Sequence, residues 1–274
     1  MSYKPFFKVR DVPSKGRSRI LRGLKVARDH HYVSDIEYLC HLLVEFSHNV
    51  IDIREQFALL PWRATQEIAE EIGYRHPTYP ASSTPTVVTS DIVVTYLENG
   101  RKQLFVISVK RNLNIQWNDD GTLNISESLS SRKDERIVEK LAIEKYYWDR
   151  LGIPWFLATI DNIPLRRAKN INFLRVSMVS KELDQLMPRM QDFTHAFLDN
   201  WSKERALTAI LGRVAQKMNL TENHCFHLFG RAAWMRLLPV DFNSHKMGHQ
   251  QPVRLMSDDE IASERNLHRP PFWI

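Results

Sequence analysis

The sequence predicts an α/β domain with a mixed central sheet, followed by a mainly helical domain. Three observations carry that prediction. Two apolar extended segments flank Asn99-Gly100, a strong short-range hairpin signal because a type I′ turn needs positive φ at both central residues. Between residues 34 and 160, helical spacing of apolar residues alternates with short apolar runs, as in a sheet covered by helices. Past residue 164 the order is helix, tight turn, helix, extended stretch, which is that of a winged helix-turn-helix.

Each element has its own signal. Ser34-Asp35-Ile36-Glu37 opens a helix with Ile36, Leu39, Cys40, Leu43 and Phe46 on one face, Ser34 as N-cap and Glu37 completing a capping box. An extended segment over 50–60, Pro61 and a short amphipathic helix over 65–72 follow. The hairpin takes 86–97 and 102–110, and the polar stretch 111–129 is expected to be a loop outside the core. A helix over 134–151 presents Ile137, Leu141, Ile143 or Glu144, Tyr147 and Trp148. Gly152 ends it, and 153–160 returns as a buried strand. Arg166, Arg167 and Lys169 mark a linker, after which helices are expected over 180–201, 203–218 and 222–237, with an extended stretch over 238–256. The domain boundaries are therefore a basic arm (1–30), the α/β domain (31–165) and the helical domain with an extended tail (166–274).

Composition narrows the class. The chain has 274 residues, 43% hydrophobic and 26% charged, with no apolar run long enough to span a bilayer and no signal-peptide pattern at its start. Cys40 and Cys225 are isolated, so neither a disulfide framework nor a zinc-ribbon spacing is available and a reducing compartment fits. The net charge of +6 favours a polyanionic partner. Nine cations, Lys4, Lys8, Arg10, Lys15, Arg17, Arg19, Arg22, Lys25 and Arg28, face the single acid Asp11 in the first 28 residues. Such a run is either a solvated arm or one that contacts phosphates. At the other end, Pro270 and Pro271 hold Phe272, Trp273 and Ile274 extended. Those residues either fold back on their own domain or anchor on a partner.

The hairpin also brings chemistry together. If Asn99 and Gly100 form the two-residue loop, Glu98 pairs with Arg101 and Asp91 falls opposite Ser108. Lys110, two residues on, shares their face. A carboxylate, a hydroxyl and an ammonium thus meet at one end of the hairpin, the materials for holding a metal and neutralising a phosphate. Taken singly, each has an ordinary structural explanation, and Glu37 has a good one in its capping box. The adjacent His30 and His31 point to opposite faces of an extended segment, which leaves His31 at most an orienting role. Glu144 is either a group standing behind the metal ligands or, as expected, a surface residue paired with Lys140 or the turn of Trp148, and Trp62, Trp148 and Trp155 are expected in the core.

Several runs resemble a known family. They are Val12-Pro13-Ser14, Gly16-Arg17-Ser18, His30-His31, Ser34-Asp35-Ile36-Glu37, Val50 through Phe57 with Leu59-Leu60-Pro61, Thr89-Ser90-Asp91, Val109-Lys110, and Glu139-Lys140-Leu141 through Glu144, Tyr147-Trp148 and Ile153-Pro154-Trp155-Phe156. Together, over residues 10–164, the chain resembles the TnsA endonuclease subunits of heteromeric Tn-seven-like transposases. The resemblance implies a restriction-endonuclease-like catalytic domain, magnesium-dependent with manganese able to substitute. It implies five-prime strand cutting of double-stranded DNA at transposon ends, beside a TnsB-type DDE transposase and a TnsC-type AAA+ ATPase regulator. No membrane is involved, and a bacterial cytoplasmic location, on the nucleoid when bound to DNA, is expected. The family's catalytic glutamate, aspartate and lysine fall on Glu37, Asp91 and Lys110. Where the family commonly has glutamine, this chain has Ser108, whose shorter hydroxyl would reach metal through water, while the Val109 carbonyl serves as a ligand regardless of side chain. A free-standing restriction or repair nuclease of the same fold, or a non-catalytic DNA- or ATPase-binding adaptor, are the other readings.

Overall fold

The computed structural model describes residues 3–12, 17–111, 115–117, 123–125 and 132–265. The tail over 268–274 and most of the 111–129 stretch lie outside the described residues. The chain divides into two compact units, residues 1–163 and 164–273.

In the first unit, a short hairpin of β1 (Arg19–Arg22) and β2 (Asp29–Tyr32) precedes α1 (Asp35–Phe46). Strand β3 (Val50–Ala58), helix α2 (Trp62–Glu71), and strands β4 (Thr89–Glu98) and β5 (Arg101–Val109) follow. Two three-residue strands, β6 (Ile115–Trp117) and β7 (Leu123–Ile125), pair within the stretch expected to be loop. Helix α3 (Arg132–Arg150) then carries the chain to β8 (Trp155–Ala158). The main sheet has the order β3-β4-β5-β8, with β3, β4 and β5 antiparallel and β8 parallel to β5. This is the mixed sheet the sequence predicts, and the parallel return is what requires α3 as a crossover.

The turn behaves as its residues demand. Asn99 and Gly100 both have positive φ, 50° and 75°, and Glu98 pairs with Arg101. The register then runs unbroken to Ile92 opposite Ile107. Val93 and Val106 join Leu141, Ile143 and Trp148 of α3 and Trp155 of β8 in a buried cluster with Leu59, Ile68, Ala69 and Val88. Trp148 and Trp155 are core residues as expected, but Trp62, at the start of α2, is 41% exposed.

The described part of the basic N-terminal stretch keeps most of its cations exposed but is tied to the unit at several points. Phe6 N–H donates to the Gln56 carbonyl at 3.0 Å, and Tyr3 Oη donates to the Glu55 carbonyl at 2.6 Å. Arg28 is committed internally, donating to the Ile53 carbonyl at 2.7 Å and to both Glu55 oxygens at 2.7 and 2.5 Å. Arg19 pairs with Asp35 at 3.0 Å. Charge that looks available for phosphate in the sequence is here partly spent on the unit's own carboxylates.

The second unit consists of α4 (Leu165–Val179), a 3-10 segment (Lys181–Arg189), α5 (Met190–Asn200), α6 (Leu207–Met218), α7 (Glu222–Trp234) and α8 (Asp258–Arg265). Arg166, Arg167 and Lys169, expected in a linker, lie inside α4. Ala168 among them and Ile171 just after them are buried, which a reading of charge alone passes over. The expected helix over 180–201 is divided, with Pro188 in its 3-10 part.

Helices α6 and α7 do form a helix-turn-helix, with Asn219 left-handed at φ 52° and the Thr221 hydroxyl capping α7. Two features depart from a winged arrangement. Among the described residues, the stretch expected to form the wing makes only isolated antiparallel bridges, Ala206 with Pro252 and Val240 with Leu255. Helix α7, where a recognition helix would lie, is the central helix of the unit, burying residues from Cys225 to Trp234 against α4, α5 and α6.

Two outcomes follow from this packing. A Cβ on Gly230 would meet Ser177 Oγ at 2.2 Å and Ser177 Cβ at 2.6 Å, so Gly230→Ala should lose about 1–3 kcal/mol in a urea titration. In the first unit, burial would raise the Glu55 carboxyl, but hydrogen bonds and charge from His30 and Arg28 outweigh it and hold its pKa at about 2. A depressed carboxylate contributes stability above its unfolded pKa and loses it as pH falls through the folded one. Glu55→Gln should therefore trail the native chain by on the order of 3 kcal/mol at neutral pH. That gap should narrow from about pH 4.5 down to about 2.

Candidate active site

The β4–β5 ladder ends where the face that carries Val93 and Val106 becomes polar. One step beyond the Ile92–Ile107 pair, Asp91 lies opposite Ser108, and its Oδ2 takes the backbone N–H of Val109 at 2.6 Å. A carboxylate thus does the work of a strand carbonyl. Lys110 Nζ stands 3.6 Å from the same Oδ2 and donates to the Val109 carbonyl at 2.8 Å. Asp91 and Lys110 keep part of their surface in solvent, 18% and 29% of the side chain, so the group can be reached from outside.

Glu37 joins them from α1. Its N–H donates to Ser34 Oγ at 3.2 Å, the N-cap bond expected from the sequence. The carboxylate, however, does more than close a capping box. Oε1 accepts from the Ser34 hydroxyl at 2.8 Å, and Oε2 accepts from the Val33 N–H at 3.1 Å and from Gln56 Nε2 at 3.2 Å. Burial and the Asp91 carboxylate push its pKa up to about 7, against the opposing hydrogen bonds from Ser34 and Val33 and the charge of Lys110. Its structural and electrostatic roles coexist, since each carboxylate oxygen has two lone pairs. Burial lowers the Lys110 ammonium, but the Asp91, Glu144 and Glu37 carboxylates outweigh that and raise its pKa, which keeps it charged.

One residue at this end escapes a reading of the sequence. Gln56, at positive φ in β3, is buried, and its Oε1 has no hydrogen-bond partner among the described residues. Nothing in the local sequence marks it. Glu144 did leave a signal, three residues after Leu141 and four before Trp148 on the apolar face of α3. It is no surface partner of Lys140: it is 2% exposed and accepts the Ser108 hydroxyl proton. Burial and then Asp91 raise its pKa, opposed by hydrogen bonds from Ser108 and Ser90.

Ser108, fully buried, also accepts from Trp155 Nε1 at 3.1 Å, while Trp148 Nε1 donates to Ser90 Oγ at 2.8 Å. The core tryptophans therefore tie both serines into the packing. A glutamine at 108 would have to displace the Trp155 indole or Glu144. His30 and His31 stand apart from this group in their described hydrogen bonds. His30 Nδ1 lies 2.9 Å from Glu55 Oε2, and the His31 N–H donates to Glu55 Oε1 at 3.2 Å.

Among the described residues, no group of three His, Cys, Asp or Glu is spaced to hold a metal by itself. The donor set nonetheless fits a hard divalent cation, which takes carboxylate and carbonyl oxygens and retains several waters. Asp91, Glu37 and the Val109 carbonyl are all of that kind. Burial, and after it the Asp91 carboxylate, raise the Glu37 pKa to about 7, and a cation between two carboxylates would relieve that repulsion.

Comparison with known proteins adds to this geometry. A family model described as "TnsA-like endonuclease N terminal" matches residues 47–160. That range holds Asp91, Ser108, Val109, Lys110 and Glu144, while Glu37 precedes it. The chain is 33% identical over 193 residues, 70% of its length, to the transposon Tn7 transposition protein TnsA of Escherichia coli. The match spans 63% of that relative's length. In the described residues, no helix is long and apolar enough to cross a membrane.

Ser34→Ala removes both the cap acceptor and a donor to Glu37. It should cost about 1–2 kcal/mol in chemical denaturation.

Proposed function

The chain belongs to the TnsA-like endonucleases through its first unit, and from that premise we propose that it is the magnesium-dependent endonuclease subunit of a heteromeric transposase. In this reading it hydrolyses the five-prime strands of double-stranded DNA at transposon ends. The observation that carries the reading is the meeting of Asp91, Lys110 and Glu37 at the open end of one hairpin. A TnsB-type transposase would act on the three-prime strands, and a TnsC-type ATPase would regulate both.

Hydrolysis joins a water oxygen to phosphorus, breaks one ester P–O bond, and requires the growing negative charge on phosphate to be met. Asp91, Glu37 and the Val109 carbonyl would hold magnesium, with Ser108 reaching it through water. Bound there, the ion supplies a polarised phosphate and a more acidic water. Manganese, with the same preference for oxygen ligands, would substitute. Lys110 is kept charged by the carboxylates around it, so it serves as a donor to the attacking water and as a counter-charge to the phosphate. In that state its Nζ has no lone pair to take the water's proton.

The test is excision with purified partners, reading five-prime strand cutting. Asp91→Asn keeps an acceptor for the Val109 N–H while losing the charge, and should abolish cutting without unfolding the unit. Lys110→Ala should lower cutting by about a hundredfold to a thousandfold. Glu37→Gln keeps one acceptor oxygen, enough for the Val33 N–H, while its amide NH2 faces the Ser34 hydroxyl, and it should also lose cutting. Parental rates in Asp91→Asn would put the active site elsewhere. Nicking of naked DNA by the isolated chain would instead favour a free-standing nuclease.

A further inference from the structure

Strand β3 carries one backbone outlier, and it stands at the active end of the sheet. Glu55 pairs with Ile92 and Phe57 with Ser90, so the register sets Gln56 opposite Asp91 on one side of β4, as it sets Ser108 on the other. The φ of Gln56 is 49°, in the left-handed region that a non-glycine residue in a strand rarely adopts. The β3–β4 ladder skips this residue, and its carbonyl accepts from the Phe6 N–H at 3.0 Å. Such a conformation persists only where its surroundings over-determine it, and outliers of this kind cluster at functional sites.

The side chain is equally unusual. Gln56 is 1% exposed. Its Nε2 donates to Glu37 Oε2 at 3.2 Å, which brings the amide to the carboxylates of the site. Its Oε1 is buried with no hydrogen-bond partner among the described residues. Turning the amide over would give no relief, because it would set an oxygen against the Glu37 carboxylate. Glu37 Oε2 already accepts from the Val33 N–H at 3.1 Å, so it does not depend on Gln56 for a partner. A side chain required only to fill this space would be better apolar, since a buried acceptor left unpaired costs stability. Donors do gather at a pair of carboxylates when a hard divalent cation sits there, because the ion brings its own waters.

We propose that Gln56 is a positioning residue of the metal site: Glu37 anchors its amide so that the buried Oε1 accepts a hydrogen bond from a water of the hydrated ion. The proposal rests on the nuclease reading given above. No bond is made or broken in this role, and Gln56 does not touch the ion. Magnesium keeps several waters when protein binds it, so an acceptor aimed at one of them orients the shell without adding a ligand to it.

Titration calorimetry of the full chain with magnesium chloride and with manganese chloride, together with melting in EDTA, tests this. Gln56→Met is close in length and has no acceptor at that place. Its affinity for both ions should fall about tenfold or more, as for other groups that act behind a ligand. Its melting in EDTA should not fall, because the orphaned acceptor is gone. Gln56→Glu keeps an oxygen there. Its affinity should stay above that of Gln56→Met for both ions, although the added buried charge should lower its melting in EDTA. A role in packing alone predicts the opposite order, with Gln56→Met binding like the native chain, and that result would overturn the proposal. Equal losses in the two variants would also overturn it, since the amide donor and not the oxygen would then matter. If Gln56→Met does not fold, Gln56→Asn replaces it under the same criteria. Asparagine tolerates a left-handed φ but is too short to reach both Glu37 and the water.

Asp91→Asn is measured alongside. If the native chain bound neither ion, or Asp91→Asn did not weaken binding, the nuclease reading itself would fall. If Asp91→Asn weakened binding and Gln56→Met did not, only the role of Gln56 would be overturned.

Discussion

The register of the β4–β5 hairpin is the constraint on which the site depends. Successive side chains in a strand point to opposite faces, so a slip of one residue would send Asp91 to the face away from Ser108 and Lys110. Asn99 and Gly100 prevent that slip by accepting the positive φ that a tight two-residue turn requires. Strand β3 on one side and β8 on the other then fix the pair within a sheet. At the open end, Asp91 takes the N–H of the residue whose carbonyl meets Lys110 Nζ. Backbone and reactive groups are thereby placed by the same bond.

Electrostatics separates two buried carboxylates that composition treats alike. Glu55 has Arg28 and His30 on its oxygens, and its pKa falls to about 2. Glu37 faces another carboxylate, and its pKa rises to about 7. The first is a closed structural pair that ties the β1–β2 hairpin to β3. The second lies in a group of three carboxylates, Glu37, Asp91 and Glu144, around one ammonium, Lys110. Like charges held together in a poorly screened place destabilise the fold locally. Under the proposed reading, a bound cation would relieve that repulsion.

What the sequence made legible were features with local causes. The turn, the capped start of α1 and the apolar runs of β4 and β5 depend on neighbouring residues, and all appear within a few residues of where the patterns place them. Contacts between distant elements were harder to read. Glu144 meets Ser108 across 36 residues, and no spacing rule connects a helix position to one strand side chain. Gln56 owes its place to a positive φ in β3, which glutamine does not advertise. In the second unit, charge misled. Arg166, Arg167 and Lys169 suggested a linker, but they lie in the first turns of α4, among buried Ala168 and Ile171. Helix α7 likewise has the order of a recognition helix, and its apolar content shows in the structure as a core role.

The packing around Ser108 limits how charge can be delivered to this site. The position is fully buried, with the Trp155 indole on its hydroxyl and α3 above it. A longer acidic or amide side chain on the strand would have to displace the tryptophan or push α3 outward, and close-packed interiors resist both. A carboxylate from α3 needs no such space, because it arrives from the layer that already covers the sheet. Small residue on the strand and acid on the helix are thus two parts of one solution. Either alone would be a cost, a void in the first case and an unsatisfied buried charge in the second.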